Sequence, residues 1–375
     1  MEAINLKLLQ LEIKKIFLTY NNWVIFIAVV LSQVILCSIS TPQYNFQTKQ
    51  YNDRYHVYLS DFGGKITEKK QHNIIREQER IEDAEKDFLE LFSKLYNGEI
   101  APDEYDLKLD SYKNLYEDKM AFQQILNQYD YAAEDPENRY IMDENGWYVI
   151  LQDNNINFLL LFCIIYMVTQ VFCPEYETEM YNILSCSKNG KKTLAFSKIF
   201  IGMIFTALFF LISEIIKVLS VWNEFGLYNN EYPLQSISYF YACPYDITIG
   251  QGFIIICTLK LLSFVVIGAI TATISVIIKK SMPTFFISAI VTLSPYFLFD
   301  IKKILYFIPY LGFMMSGYYF RGIDDVTSDD MLSEAVPIPF KIVICQCFFC
   351  MLLLFIFISL IIGCWNNRPL IRRKK

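Results

Sequence analysis

The chain of 375 residues is 54% hydrophobic and only 19% charged, with a net charge of −6 and a positive mean hydropathy of +0.29. Soluble domains carry about a quarter charged residues, so this composition excludes the ordinary soluble classes. It points to an all-α polytopic membrane protein, because long apolar runs alternate with one polar block at 40–155.

A helix needs roughly 20 mostly apolar residues to cross a hydrocarbon core. Residues 1–22 precede the first such run and form an amphipathic helix over 4–17, with Leu8, Leu11 and Phe17 apolar and Lys7, Lys14 and Lys15 basic. The first span is 23–39, with Gln33 mid-span. It lacks a small-residue cleavage site, so it reads as a true helix and not a secretory signal.

The block 40–155 is acidic, with 23 Asp and Glu against 13 Lys and Arg over 42–149. Ile74, Ile81, Phe88 and Leu95 recur every seven residues, a coiled-coil type of seam. Asn97-Gly98 stops that helix and Pro102-Asp103-Glu104 starts another, which carries Leu109, Tyr112, Tyr116, Phe122, Leu126 and Tyr129 on one face. The pair predicts an antiparallel helical hairpin. Strand-like pieces are expected at 55–59, 139–142 and 147–151, the last two flanking the turn signal Asn145-Gly146. The expectation is a mixed α+β extracellular domain containing a helical hairpin. It serves either as a spacer or to recognise a substrate, and its acidity would favour a cationic one. None of the ten cysteines falls in it, so no disulfide is expected there.

Five further spans are predicted at 156–173, 194–221, 253–278, 284–299 and 341–365. The apolar stretch 304–320 is broken by Pro309, Gly312 and Gly317 and reads as a re-entrant or interfacial segment, since broken backbone at membrane depth must be buried against other helices. Lys and Arg of short loops mark the cytoplasmic side. Lys188, Lys191 and Lys192, then Lys279 and Lys280, then the tail 366–375 with Arg368, Arg372, Arg373, Lys374 and Lys375 all fall on the side of Lys7, Lys14 and Lys15. The segment 222–251 has none. Both termini are therefore expected in the cytoplasm and 40–155 outside.

Few residues carry chemistry. There is no phosphate-binding P-loop, no His-Glu-x-x-His and no Gly-x-Ser-x-Gly. The two histidines, His56 and His72, both lie in the polar block, so neither a catalytic nor a metal-binding residue is expected. Cys347 and Cys350 form a C-x-x-C within an apolar helix, where they read as small hydrophobes. Ionisable or polar residues inside spans are functional candidates: Gln33, Glu214, Lys217 and Lys260. Glu214 and Lys217 are spaced to pair on a helix, and either lysine can equally snorkel to the interface.

The loop 174–192 is the most informative stretch. Pro174 and the acids Glu175, Glu177 and Glu179 favour a helix start. Ile183 and Leu184 follow, then Ser185 and Ser187, and Gly190 ends the segment before Lys191 and Lys192. This predicts one short amphipathic helix lying along the membrane. With Lys198 opening the next span, the pattern resembles the type-2 exporter permeases of ATP-binding-cassette (ABC) transporters. The N-terminal amphipathic helix, the six spans and the broken segment agree with that family, whereas the external domain is larger than in its simplest members.

The resemblance implies a permease subunit of an ATP-driven exporter in a bacterial plasma membrane, surrounded by membrane lipid and with no role for nucleic acid. It further implies a second permease, identical or related, and a separate ATPase subunit that binds ATP and Mg. The chain itself would then hold no cofactor and be no enzyme. Glu175, Glu177, Glu179, Ile183, Leu184, Ser187, Gly190 and Lys191 would belong to the coupling helix that docks on the ATPase. Bacteriocin or peptide export and immunity are the implied roles, with a peptide or amphiphile as cargo. The alternatives are a non-transporting receptor with an extracellular sensor, and an intramembrane enzyme, against which the missing constellations argue.

Overall fold

The computed structural model describes residues 6–16, 22–40, 46–97, 102–152, 155–186, 192–325 and 334–366. They form two compact units, an apolar one within 1–41, 150–220 and 253–375 and a polar one within 42–149 and 221–252. In chain order the helices are α1 (Leu6–Lys14), α2 (Asn22–Ser40), α3 (Phe46–Phe62), α4 (Glu68–Tyr96), α5 (Pro102–Ala133), α6 (Asn145–Leu151), α7 (Phe158–Phe172), α8 (Pro174–Glu177) and α9 (Met180–Cys186). There follow α10 (Lys192–Phe225), α11 (Ile249–Ile278), α12 (Ser281–Leu298), α13 (Ile301–Phe307), α14 (Pro309–Gly312), α15 (Gly317–Arg321) and α16 (Phe340–Asn366). A short antiparallel ribbon, β1 (Ile323–Asp325) with β2 (Glu334–Val336), pairs Ile323 with Val336.

The six apolar runs fall on α2, α7, α10, α11, α12 and α16. Four of these, α10, α11, α12 and α16, are long and apolar enough to cross a membrane, and the apolar stretches of α2 and α7 are shorter. The chain is an all-α membrane-embedded protein.

Within the apolar unit α7 is enclosed almost all round, with Leu160, Leu161, Ile164, Ile165, Val168 and Phe172 buried. On α12, Thr284, Ser288 and Thr292 recur every four residues and are buried. A stripe of small side chains lets two backbones approach closely without a bulky layer between them. The opposite face of α12 exposes Phe286, Ile290 and Phe297, which suits contact with lipid.

The stretch after α12 is a chain of short pieces, and its breaks fall where Pro309 and Gly317 stand. Pro309 has no N–H to give the Leu305 carbonyl four residues back. Tyr319 Oη donates to that oxygen at 3.0 Å and Gln346 Nε2 at 2.6 Å, with a second contact from Gln346 to the Tyr306 carbonyl at 3.1 Å. Ser263 of α11 donates to the Tyr310 carbonyl. Side chains of three helices thus replace the bonds that the break forfeits.

In the polar unit α3 and α4 both pack on α5. Tyr55, Phe62, Ile74, Ile81, Phe122 and Ile125 form the core. Thr67 caps α4 by accepting from Lys70 N. Of the seven-residue seam, Ile74 and Ile81 are buried while Phe88 and Leu95 are half-buried. Charge ties the three helices together. Arg54 of α3 pairs with Glu117 at 2.9 Å and with Asp118, both on α5, and Tyr58 Oη donates to Glu77 of α4 at 3.0 Å.

The strand-like expectations fail here, and the reason is periodicity. Residues 55–59 belong to α3, where Tyr55, Tyr58, Leu59 and Phe62 repeat at helical spacing and pack on the core. Residues 147–151 belong to α6, with Trp147, Ile150 and Leu151 buried at the same spacing. Asn145-Gly146 opens that helix instead of turning a hairpin, because Asp143 Oδ1 accepts from Asn145 N at 3.1 Å. Of 139–142 only Ile141 pairs, in an isolated bridge with Gly64. Gly64, at φ +94°, follows the end of α3 where a side chain would be strained. Among the described residues the polar unit is therefore helical, with isolated bridges in place of a sheet.

The segment 221–252 joins this unit, which the domain boundary at 40–155 did not include. Trp147 Nε1 donates to the Tyr228 carbonyl at 2.7 Å, Tyr131 Oη to the Gln235 carbonyl at 2.6 Å and Tyr140 N to Ser236 Oγ at 3.0 Å.

Candidate coupling site

The loop after α7 is two helices where one was expected over 174–192. Pro174 opens α8, and Thr178 closes it by donating from Oγ1 to the Pro174 carbonyl at 2.7 Å. Glu179 then takes a left-handed φ of +57° before α9 begins at Met180. Ser187, Gly190 and Lys191 lie outside the described residues, as does the tail 367–375.

The acids of this loop have different surroundings. Glu175 is turned inward. It pairs with Lys15 at 2.6 Å and with Lys198 at 3.0 Å, and the Lys198 and Glu175 side chains are each only 1% exposed. Lys198 also reaches Glu12 at 3.4 Å and donates to the Val171 carbonyl at 2.6 Å. Two lysines and two glutamates from the N-terminal stretch, α8 and α10 therefore neutralise one another in a buried cluster. Aromatic rings enclose it: the Lys198 ammonium lies 6.0 Å from the Phe172 ring and 5.9 Å from the Trp365 ring. Trp365 in turn packs edge-on against Tyr176 and Tyr181, and its carbonyl accepts from Tyr181 Oη at 2.8 Å.

Glu177 and Glu179 are exposed. Glu177 Oε1 accepts from Ser281 N at 2.6 Å, a carboxylate on the first N–H of α12, where the helix dipole favours negative charge. Cys173, just before α8, lies 3.5 Å from Thr284 Oγ1 and 3.9 Å from the Ser275 carbonyl, joining the ends of α7, α11 and α12. Asn22 holds the start of α2, donating to the Ile16 carbonyl at 3.0 Å and accepting from Tyr166 Oη at 3.3 Å. On this anchored base, α9 turns Tyr181 inward and Ile183 outward. Ile183 is 75% exposed, Met180 is exposed beside it and Leu184 is half-buried.

The intramembrane candidates fall into two groups. Gln33 is buried and exchanges hydrogen bonds with Asn157 at 3.1 and 3.3 Å, and its Oε1 accepts from Ser213 Oγ at 3.2 Å. Asn157 also caps α7 by accepting from Leu160 N. Interhelical amide contacts of this kind join spans by satisfying polar groups that lipid cannot. Glu214, Lys217 and Lys260 all lie within electrostatic reach of Cys257. Lys260 is buried, and Lys217 donates to the Ile150 carbonyl at 3.0 Å.

Sequence reasoning missed Glu12, Lys15 as a paired residue, Asn157, Ser213 and Trp365. Glu12, the one acid in the stretch 4–17, was a readable signal, and so was an Asn before an apolar run. Comparison with protein-family models, curated proteins and solved structures returns no match for this chain.

Proposed function

We propose that the chain is the permease subunit of an ATP-driven ABC exporter, with energy supplied by a separate ATPase subunit. In this reading α2, α7, α10, α11, α12 and α16 are six spans, both termini are cytoplasmic, and 304–320 re-enters the membrane without crossing it. The polar unit faces outward, and the membrane is a bacterial plasma membrane. A second permease completes the path, and the cargo is a peptide or amphiphile. Bacteriocin export or immunity would be the setting.

One observation carries the reading. The loop after α7 presents Ile183 and Met180 to solvent on a short helix whose base is fixed to three long helices by Glu175, Glu177 and Cys173. An exposed apolar tip on a rigid mount is what a partner needs to push the bundle from outside, since packed helices shift as rigid bodies between discrete arrangements. Within this assignment Ile183, Leu184, Glu177 and Glu179 form the docking edge, and Glu175 fastens that edge to the bundle.

The test is Ile183→Glu. Its side chain touches solvent, so the variant should fold and insert as before while ATPase stimulation by cargo falls at least tenfold. Undiminished stimulation would remove α9 from the coupling role. A second reading, a non-transporting receptor, is supported by the polar unit being a compact body in its own right. It requires no ATPase partner.

A further inference from the structure

The chain has two histidines. His72 is exposed on α4, while His56, on α3, stands against a buried carboxylate. Its Nε2 lies 3.9 Å from Asp143 Oδ2, with the His56 side chain 34% exposed and that of Asp143 3%. The other Asp143 oxygen is occupied, accepting from the backbone N–H of Asn145 and from its Nδ2 at 2.8 Å, and so it caps α6. Oδ2 has no hydrogen-bond partner. A buried carboxylate oxygen without a donor is costly, and a gap of 3.9 Å is too long for a hydrogen bond. Burial pushes the Asp143 carboxyl up from its ordinary value, opposed by the Asn145 hydrogen bonds and by His56.

The contacts around the pair from α3, α5 and 221–252 are made by neutral side chains. From α3, Tyr55 donates to the Met142 carbonyl at 3.3 Å, and from α5, Gln128 donates to Tyr55 Oη at 2.8 Å. From 221–252, the Tyr228 ring meets the His56 ring edge-on at 6.1 Å. The neighbouring acid, Glu144, is engaged by Ser238 N and Oγ. Arg54, on the same helix as His56, is committed to Glu117 and Asp118. Among the described residues His56 is the one cation-forming group acting on Asp143.

We propose that His56 and Asp143 are a proton-operated latch of the polar unit. With His56 neutral the ring stands off from Oδ2. When the imidazole takes a proton from solvent, the charged ring closes on Oδ2 and supplies the missing donor. The contact then fastens α3 to the cap of α6 and, through the Tyr228 ring, to the segment 221–252. The latch closes as pH falls and the imidazole takes up its proton. It opens again only where Asp143 itself becomes protonated. This inference stands apart from the transport reading and holds equally for a receptor.

Hydrogen exchange of the full chain in detergent tests it, followed in peptides covering 145–151 and 221–232 and divided by the intrinsic chemical rate at each pH. Between pH 7.5 and 5.5 the wild type should gain about fivefold protection in both peptides, the worth of a half-buried ion pair. His56→Gln and Asp143→Asn, which keeps an oxygen for Asn145 N, should each show less than twofold change, while His72→Gln should respond like the wild type. A wild-type gain below twofold would overturn the proposal, and so would an equal gain in either His56→Gln or Asp143→Asn.

Discussion

Removing the charge of Glu175 should loosen the apolar unit far more than removing any acid exposed beside it. The Glu175 carboxylate is 1% exposed and has two lysines on it, at 2.6 and 3.0 Å. In Glu175→Gln the Lys15 side chain, 22% exposed, can turn to water. Lys198 cannot. It keeps the Val171 carbonyl and a long contact to Glu12, but stays buried with its charge largely uncompensated. Breaking a buried pair by removing one partner costs about 3–5 kcal/mol. For a chain of this size that is a fall in apparent Tm on the order of 5 °C. The assay is thermal unfolding in detergent followed by size exclusion, with Glu179→Gln, exposed on the same loop, as the reference expected within about 1 °C of wild type. The double variant Glu175→Leu with Lys198→Met should recover most of the loss, because an apolar pair replaces a buried ion pair at little cost. A Glu175→Gln protein as stable as Glu179→Gln, or a double variant whose loss is the sum of the singles, would refute this account of the cluster.

Gln346→Leu should cost about 1–3 kcal/mol, since the buried carbonyls ahead of Pro309 lose a donor; an unchanged melting temperature would show that Tyr319 alone suffices. Gly146→Ala should detach 221–252 from the polar unit, because a Cβ there would overlap the Gly226 carbonyl oxygen, a backbone atom with little room to move. Limited proteolysis within 221–252 would report it. Acid should also loosen the three-helix core. Burial alone would raise the Glu77 carboxyl, but hydrogen bonds from Arg80 and Tyr58 outweigh it and hold the group below its usual range. Stability from a depressed carboxyl is present above its unfolded value and is lost as pH falls through the folded one. Glu77→Gln should therefore flatten the acid limb of a stability titration of the chain, and an unaltered limb would contradict the assignment.

What was legible in the sequence was what one stretch of chain decides by itself. Runs of apolar residues specify helices, and Pro309 and Gly317 specify where backbone must break. Pro102 and the acids after it specify a helix start. The strands expected at 55–59 and 147–151 fail because Tyr55, Tyr58, Leu59 and Phe62, like Trp147, Ile150 and Leu151, carry helical spacing. Asn145-Gly146 carries a hairpin signal, but Asp143 two residues earlier accepts the Asn145 N–H and a helix opens there instead. What remained hidden depended on distance along the chain. Glu12 and Lys15 meet Lys198 and Glu175 across more than 150 residues, and nothing local distinguishes the inward Glu175 from the outward Glu177 two places on. Two of the bonds that hold 221–252 within the polar unit end on the Tyr228 and Gln235 backbone carbonyls, which leave no trace in residue type.

The central claim is a working partnership with an ATPase, and the most direct measurement is recovery of the tagged chain from its own membranes in mild detergent, with its partners identified by mass. The account predicts a P-loop ATPase in stoichiometric amount, lost when Ile183 becomes Glu and retained when His72 becomes Gln. Recovery of the chain without an ATPase across several detergents would contradict it and bring the receptor reading forward.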